Sequence, residues 1–231
     1  VVNSAKAALD SGQHGYTRSQ GSEEICNSVA NYLTKYDINV DPNDVLVSPG
    51  CKQALLYAMM TCLNPGDEVI LFAPAWPSYD GMLKLIGAVP VHVPVKRENY
   101  HPDFAATRAA ITSKTKAIII NSPNNPTGAV YLPSEIEELT AIAAENDLWI
   151  FDDMIYSDLV YSEHSYVSAA VCKGGEGRTL TIGGWSKIWA MTGWRLAWLT
   201  GPKEVMEGVK TCQASSASHV PTFLMEAGAL A

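Results

Sequence analysis

The residues best placed for chemistry fall in a few short segments. Lys187 and Arg195 stand within Gly183-Gly184-Trp185-Ser186-Lys187-Ile188-Trp189-Ala190-Met191-Thr192-Gly193-Trp194-Arg195. A lysine amine among glycines and tryptophans, with few other charges nearby, suits a desolvated nucleophile. The planar fork of an arginine suits a phosphate or carboxylate. Asp152 and Asp153 close the apolar run Leu148-Trp149-Ile150-Phe151. Buried carboxylates need partners, so Asp152 is read as a cap on the following turn and Asp153 as facing a cationic ligand atom. Pro49-Gly50-Cys51-Lys52-Gln53 precedes a helical stretch. A glycine there exposes backbone N–H groups that suit an anion, although such turns also serve only to reverse the chain. Trp76, between Pro74 and Pro77, can stack on a flat ring or pack the rim of a sheet. Asn125, in the turn Ser122–Gly128, is either a loop residue or an amide aimed at ligand oxygens.

The elements that must hold these groups alternate in type. Strands are predicted over 44–48, 68–73, 89–95, 115–121, 148–152, 178–182 and 195–200. Pro90 and Pro94 make the third of these peripheral. Helices are predicted over 52–63, 78–86, 103–111 and 133–146, the last with Ile136, Leu139, Ile142 and Ala143 on one face. The residues Met225–Ala231 also read as helix. This alternation implies an α/β fold with a mainly parallel sheet covered by helices. Such sheets bind ligands beyond the carboxyl ends of their strands, where Gly50, Trp76, Asn125, Asp153 and Lys187 all lie.

Composition narrows the classes. The chain has 231 residues, 47% of them hydrophobic, and a net charge of −8, which argues against nucleic acid or an anionic membrane as a main partner. No apolar run is long enough for a membrane helix. The five cysteines form no Cys-x-x-Cys pair and do not cluster with histidines, so no metal site is expected. Free thiols fit a reducing, cytoplasmic setting. The chain opens on Val1-Val2-Asn3 and closes within a helical pattern, which reads as a fragment.

Taken together, the segments resemble the class I/II aminotransferases, the fold-type I enzymes that use pyridoxal 5′-phosphate (PLP). The resemblance is carried, in order, by Gly50-Cys51-Lys52-Gln53, Pro65-Gly66-Asp67-Glu68, Pro74-Ala75-Trp76-Pro77-Ser78-Tyr79, Asn125-Pro126-Thr127-Gly128, Asp153 with Tyr156, and Ser186-Lys187 through Met191-Thr192-Gly193-Trp194-Arg195. It implies a three-layer α/β/α large domain over 1–231, truncated at both ends. Residues 1–20 would be the edge of the N-terminal segment, and the family's small C-terminal domain would be absent. It implies an aminotransferase that passes an amino group from an amino acid to a 2-oxo acid in ping-pong fashion. Lys187 would form the internal aldimine and move the proton. Asp153 would pair with the ring nitrogen, Tyr156 and Asn125 would bond the ring oxygen, and Trp76 would stack on the ring. Arg195, Ser186, the Gly50-Cys51 backbone and the helix starting at Lys52 would hold the phosphate. Tyr16 resembles the tyrosine that reaches the neighbouring subunit's phosphate, implying a homodimer with shared sites. Lys52, Cys51 and Tyr79 also admit a purely scaffolding role. Met154, Ala197 and Gly183-Gly184-Trp185 depart from the family pattern and bear on subfamily and substrate. The same cofactor residues fit two other readings: a carbon–sulfur or related lyase, and a PLP-sensing domain of a transcriptional regulator. Alone, the chain is expected to bind PLP weakly and to turn over little.

Overall fold

Apolar residues alternate along the strands and decide the layers. In the computed structural model, which describes residues 1–161 and 165–231, seven strands form one sheet. They are β1 (Val45–Ser48), β2 (Glu68–Ala73), β3 (Val89–Pro94), β4 (Thr115–Asn121), β5 (Trp149–Asp153), β6 (Thr179–Gly184) and β7 (Ala197–Thr200). Their order is β1-β7-β6-β5-β4-β2-β3. Only β7 runs antiparallel to its neighbours; the pairs β2–β3, β2–β4, β4–β5 and β5–β6 are parallel.

Leu71, Ile119, Phe151, Ile182 and Leu199 bury one face of the sheet. Above them lie α3 (Cys51–Cys62), α4 (Ser78–Leu85) and α8 (Lys203–Ala214). Ile70, Ile118, Ile120 and Ile150 point to the other face, covered by α5 (Phe104–Ala110) and α6 (Pro133–Glu145). Val45, Val47 and Trp198 continue that second layer beneath α2 (Glu23–Leu33) and α9 (Thr222–Leu230). Each such fully buried aliphatic or aromatic side chain contributes about 1.5–3 kcal/mol relative to exposure. The remaining helices are α1 (Val2–Asp10), which packs on α9, and the short α7 (Trp185–Ile188). The ends of the chain are tied inward. The buried Gln213 amide donates to the Ser19 and Val47 carbonyls, and the Trp185 indole donates to the Gly228 carbonyl.

β3 lies at the sheet edge as Pro90 and Pro94 predict. Three expected boundaries move. Asp153 is the last residue of β5 rather than the first beyond it. Gly183 and Gly184 continue β6 two residues past its expected end at 182. Both are needed there because β7 lies close against them: a Cβ on Gly183 would sit 2.2 Å from the Trp198 ring, and one on Gly184 would sit 2.8 Å from the Ala197 Cα. Arg195 lies outside β7, in the left-handed region with φ 56°, so the strand begins only at Ala197. Asp152 does not cap the turn that follows it. Its carboxylate accepts from the Tyr166 and Ser168 hydroxyls and the Ala169 N–H, pinning a later segment beneath the sheet. Among the described residues no helix is long and apolar enough to cross a membrane.

Candidate active site

The parallel strands end together, and the antiparallel β7 starts where they end. This is why Arg195, which precedes its strand, meets residues that follow theirs. A cavity of about 190 Å³ opens there. It gathers Cys51 and Lys52 from α3, Trp76 from beyond β2, Asn125 from beyond β4, Asp153 and Tyr156 from the end of β5, Ser186 and Lys187 from α7, and Arg195.

Each corner has its own electrostatics. Asp153 is 3% exposed, and burial pushes its carboxyl up to about 6 against the Tyr79 hydroxyl and Ile155 N–H, which favour the anion. The Tyr79 hydroxyl donates to Asp153 Oδ2 over 2.6 Å. No described cation forms an ion pair with this carboxylate. Tyr156 stands half-buried beside it. Burial and the Asp153 charge hold its phenol protonated, while the Asn125 amide works the other way. Lys187 Nζ lies 5.8 Å from the centre of the Tyr156 ring. Asn121, paired with Asp153 across β4 and β5, fixes two corners at once: its amide donates to the Asp153 carbonyl and its carbonyl accepts from Asn125 N–H.

The opposite end of the cavity is cationic. Arg195 donates to the Thr192 and Pro49 carbonyls at 3.0 and 3.5 Å, and among the described residues it has no carboxylate partner. The first turn of α3 faces it with no side-chain cap, and the Cys51 and Lys52 N–H groups have no protein partner among the described residues. Free N–H groups at a helix N-terminus attract anions. Gly50 makes the approach feasible: its φ is 96° and ψ 157°, and a Cβ there would fall 2.1 Å from Arg195 Nη2. The Cys51 thiol donates to the Gly183 carbonyl and is pushed well up by burial, so it acts as a packed scaffold group. Gly50→Ala is therefore expected to displace the guanidinium and to strain a backbone region used almost only by glycine. Binding of inorganic phosphate should weaken about 10–100-fold, the worth of a charge-assisted contact, in an equilibrium titration of folded protein. Unchanged affinity would remove Arg195 from the anion site.

The structure corrects the sequence reading at the lysine. Lys187 is exposed, not desolvated. The flanking Trp185 turns away into the cluster beneath α2 and α9, so the tryptophans near the lysine in sequence do not cover it in space. Lys52 is also exposed, with its ammonium 5.2 Å from the Trp76 ring centre. Tyr16 stays out of this cavity, 94% exposed and edge-on to His219 at 5.6 Å. Tyr79 and Asn121 enter the site's structure instead. Tyr79 stands in the Pro74–Tyr79 segment, but nothing local signals that its hydroxyl reaches β5.

The sequence matches the family described as aminotransferase class I and II over residues 1–231. It is 38% identical over 232 residues to an aspartate aminotransferase of Musicola paradisiaca, covering 99% of this chain and 58% of that protein. It is 37% identical over 225 residues to an aspartate/prephenate aminotransferase of Thermus thermophilus, covering 96% of this chain and 58% of the relative. The fold superposes on the crystal structure of an aromatic aminotransferase from Pyrococcus horikoshii with a TM-score of 0.96 at 35% identity, covering 99% of this chain and 62% of that one. The chain thus spans about 58% of the length of the curated relatives it matches.

Proposed function

Since the chain belongs to the class I and II aminotransferases, we propose that its cavity is a PLP site serving transfer of an amino group from an amino acid to a 2-oxo acid. Members of this family depend on PLP, and the donor set fits that cofactor group by group. The observation that carries the reading is one cavity that joins a buried carboxylate without a cation partner to an uncapped helix and an arginine without a carboxylate partner, among the described residues. A molecule with a cationic ring at one end and a phosphate at the other satisfies both ends at once.

PLP supplies an aldehyde that reacts with amines and an electron-accepting ring that stabilises negative charge on the amino acid's Cα. The chain's own residues do the rest. Asp153 holds the proton on the ring nitrogen. Tyr156 and Asn125 donate to the ring oxygen, and Trp76 covers the ring face. Arg195, Ser186 and the N-terminus of α3 bind the phosphate, with Lys52 beside them. Lys187 would hold the aldehyde end of the cofactor, and its amine would serve as the base that moves the proton at the amino acid's Cα. Its exposure in this structure suits an amine that must meet both cofactor and substrate. Residues 1–231 act as the PLP-binding domain. The exposed Tyr16 reaches the phosphate of a second copy, which makes the working unit a homodimer with shared sites. The substrates are an amino acid and a 2-oxo acid.

Incubation with PLP, reduction with borohydride and peptide mapping by mass spectrometry test this reading. A phosphopyridoxyl group on Lys187 is the expected result. A sample folded by circular dichroism that carries no specific label overturns it.

A further inference from the structure

Asp153 has two oxygens, and only one is free for a ligand. Oδ2 accepts the Tyr79 hydroxyl over 2.6 Å, while Oδ1 has only a long contact of 3.4 Å from the Ile155 N–H. Tyr79 is itself fixed from three sides. It is 2% exposed, its N–H donates to the Trp76 carbonyl over 3.1 Å, and its ring stands edge-on to the Trp76 ring at 5.3 Å and 89°. A rigid helix-borne phenol thus ties the aromatic wall of the cavity to its carboxylate.

We propose that Tyr79 is a positioning residue for the cofactor's ring nitrogen: its hydroxyl occupies one oxygen of Asp153, keeps that carboxylate anionic, and leaves the other oxygen aimed into the cavity. The inference rests on the PLP reading of the site. Burial favours the neutral acid at Asp153, and the Tyr79 hydrogen bond is the main group opposing it. The other titratable neighbours do not replace it. Cys51 from α3 and Tyr156 from the turn after β5 are both held protonated. Asp152, the adjacent residue of β5, is a second carboxylate with its own partners on a different segment. Lys187 and Arg195 line the same cavity but form no ion pair with Asp153 among the described residues. A cofactor whose ring nitrogen arrives protonated can pair with Asp153 only once that carboxyl has lost its own proton. The state of Asp153 therefore sets the lower pH limit of binding.

Tyr79→Phe keeps the ring and removes only the oxygen. Two quantities follow it: the carboxyl ¹³C titration of Asp153 in ligand-free protein, its resonance identified by loss in Asp153→Asn, and the PLP dissociation constant against pH. Contributions of the phosphate and of Lys187 are common to both proteins and cancel in the difference. The Asp153 midpoint is expected to rise by about one pH unit or more, the worth of a hydrogen bond to a charged group. The binding curve should move upward with it, giving about tenfold weaker binding below both midpoints and converging curves above them. A ring-fluorinated tyrosine at the same position, a more acidic donor, should move the midpoint the other way, which no packing defect would do. An unchanged midpoint overturns the proposal, and so does a shifted midpoint with superposable binding curves. If the unsubstituted protein takes up no PLP at any pH, the reading of the site itself fails and this inference falls with it.

Discussion

Lys187→Ala is expected to lose all borohydride-fixable PLP while still binding the cofactor reversibly. The geometry separates the two effects. Lys187 is exposed at the open side of the cavity, whereas Asp153, Tyr156 and Arg195 hold positions set by the sheet and by contacts independent of the lysine. Removing the amine removes the only lysine close to Tyr156 among the described residues and leaves the rest standing. Lys187→Arg keeps a positive charge there without a nucleophilic amine, so it should fail to attach PLP as well, which excludes a purely electrostatic role. Transfer of an amino group between amino acid and cofactor should fall by about 10⁴-fold or more, since both attachment and proton movement depend on the same atom. Retention of a specific label in Lys187→Ala would move the reactive amine to Lys52, the other lysine lining the cavity.

Asp153→Asn should change stability and binding in opposite directions. The carboxyl is buried, and its folded value of about 6 lies above the 3.8 of an unburied aspartate. A raised acid contributes stability that is fully present below the unfolded value and is lost as pH rises through the folded one. Ionised Asp153 is thus a cost to the ligand-free chain at neutral pH. The difference of about two units corresponds to about 3 kcal/mol. Asparagine removes the charge, retains the shape and can still accept from Tyr79. The ligand-free variant should therefore melt about 5–10 °C higher at pH 7.5, with no gain near pH 4, where both proteins are neutral at this position. With PLP the order reverses: a cationic ring nitrogen loses its buried partner, and affinity should fall about 10²–10³-fold. Thermal melts at the two pH values, with and without cofactor, check both signs together. A variant that is less stable at pH 7.5 without cofactor would mean that Asp153 is not an uncompensated charge.

The two predictions draw on different layers of information. The alternation of apolar runs with amphipathic stretches was readable locally, because strand and helix periods are properties of neighbouring residues. So was the chemistry waiting at the strand ends, since an amine, a carboxylate, an amide and a glycine turn are visible one residue at a time. The resemblance to a family then attached roles to Lys187, Asp153, Tyr156, Asn125 and Arg195, and the fold gathers all five around one cavity.

Long-range pairing decided what the sequence left open. Two adjacent aspartates look equivalent in the chain. The pleat of β5 sends Asp152 to the Tyr166–Ala169 segment and Asp153 to the cavity, because successive side chains leave a strand on opposite faces. Trp185 and Lys187 are near neighbours in sequence, yet α7 buries the indole against the Gly228 carbonyl and leaves the amine exposed. Gly183 reads as a residue beyond its strand but lies within it, required by a tryptophan from β7. Arg195 reaches the anion end only because β7 runs against its neighbours, a direction set by hydrogen bonds to the preceding strand β6 and to β1, about 150 positions earlier in the chain. Tyr79 meets Asp153 across 74 positions. By itself the sequence determined the elements and the reactive groups available at their ends, since both are local. The tertiary structure alone decided which of those groups face one another and which are dry, because contact and desolvation are properties of segments far apart in the chain brought to one place.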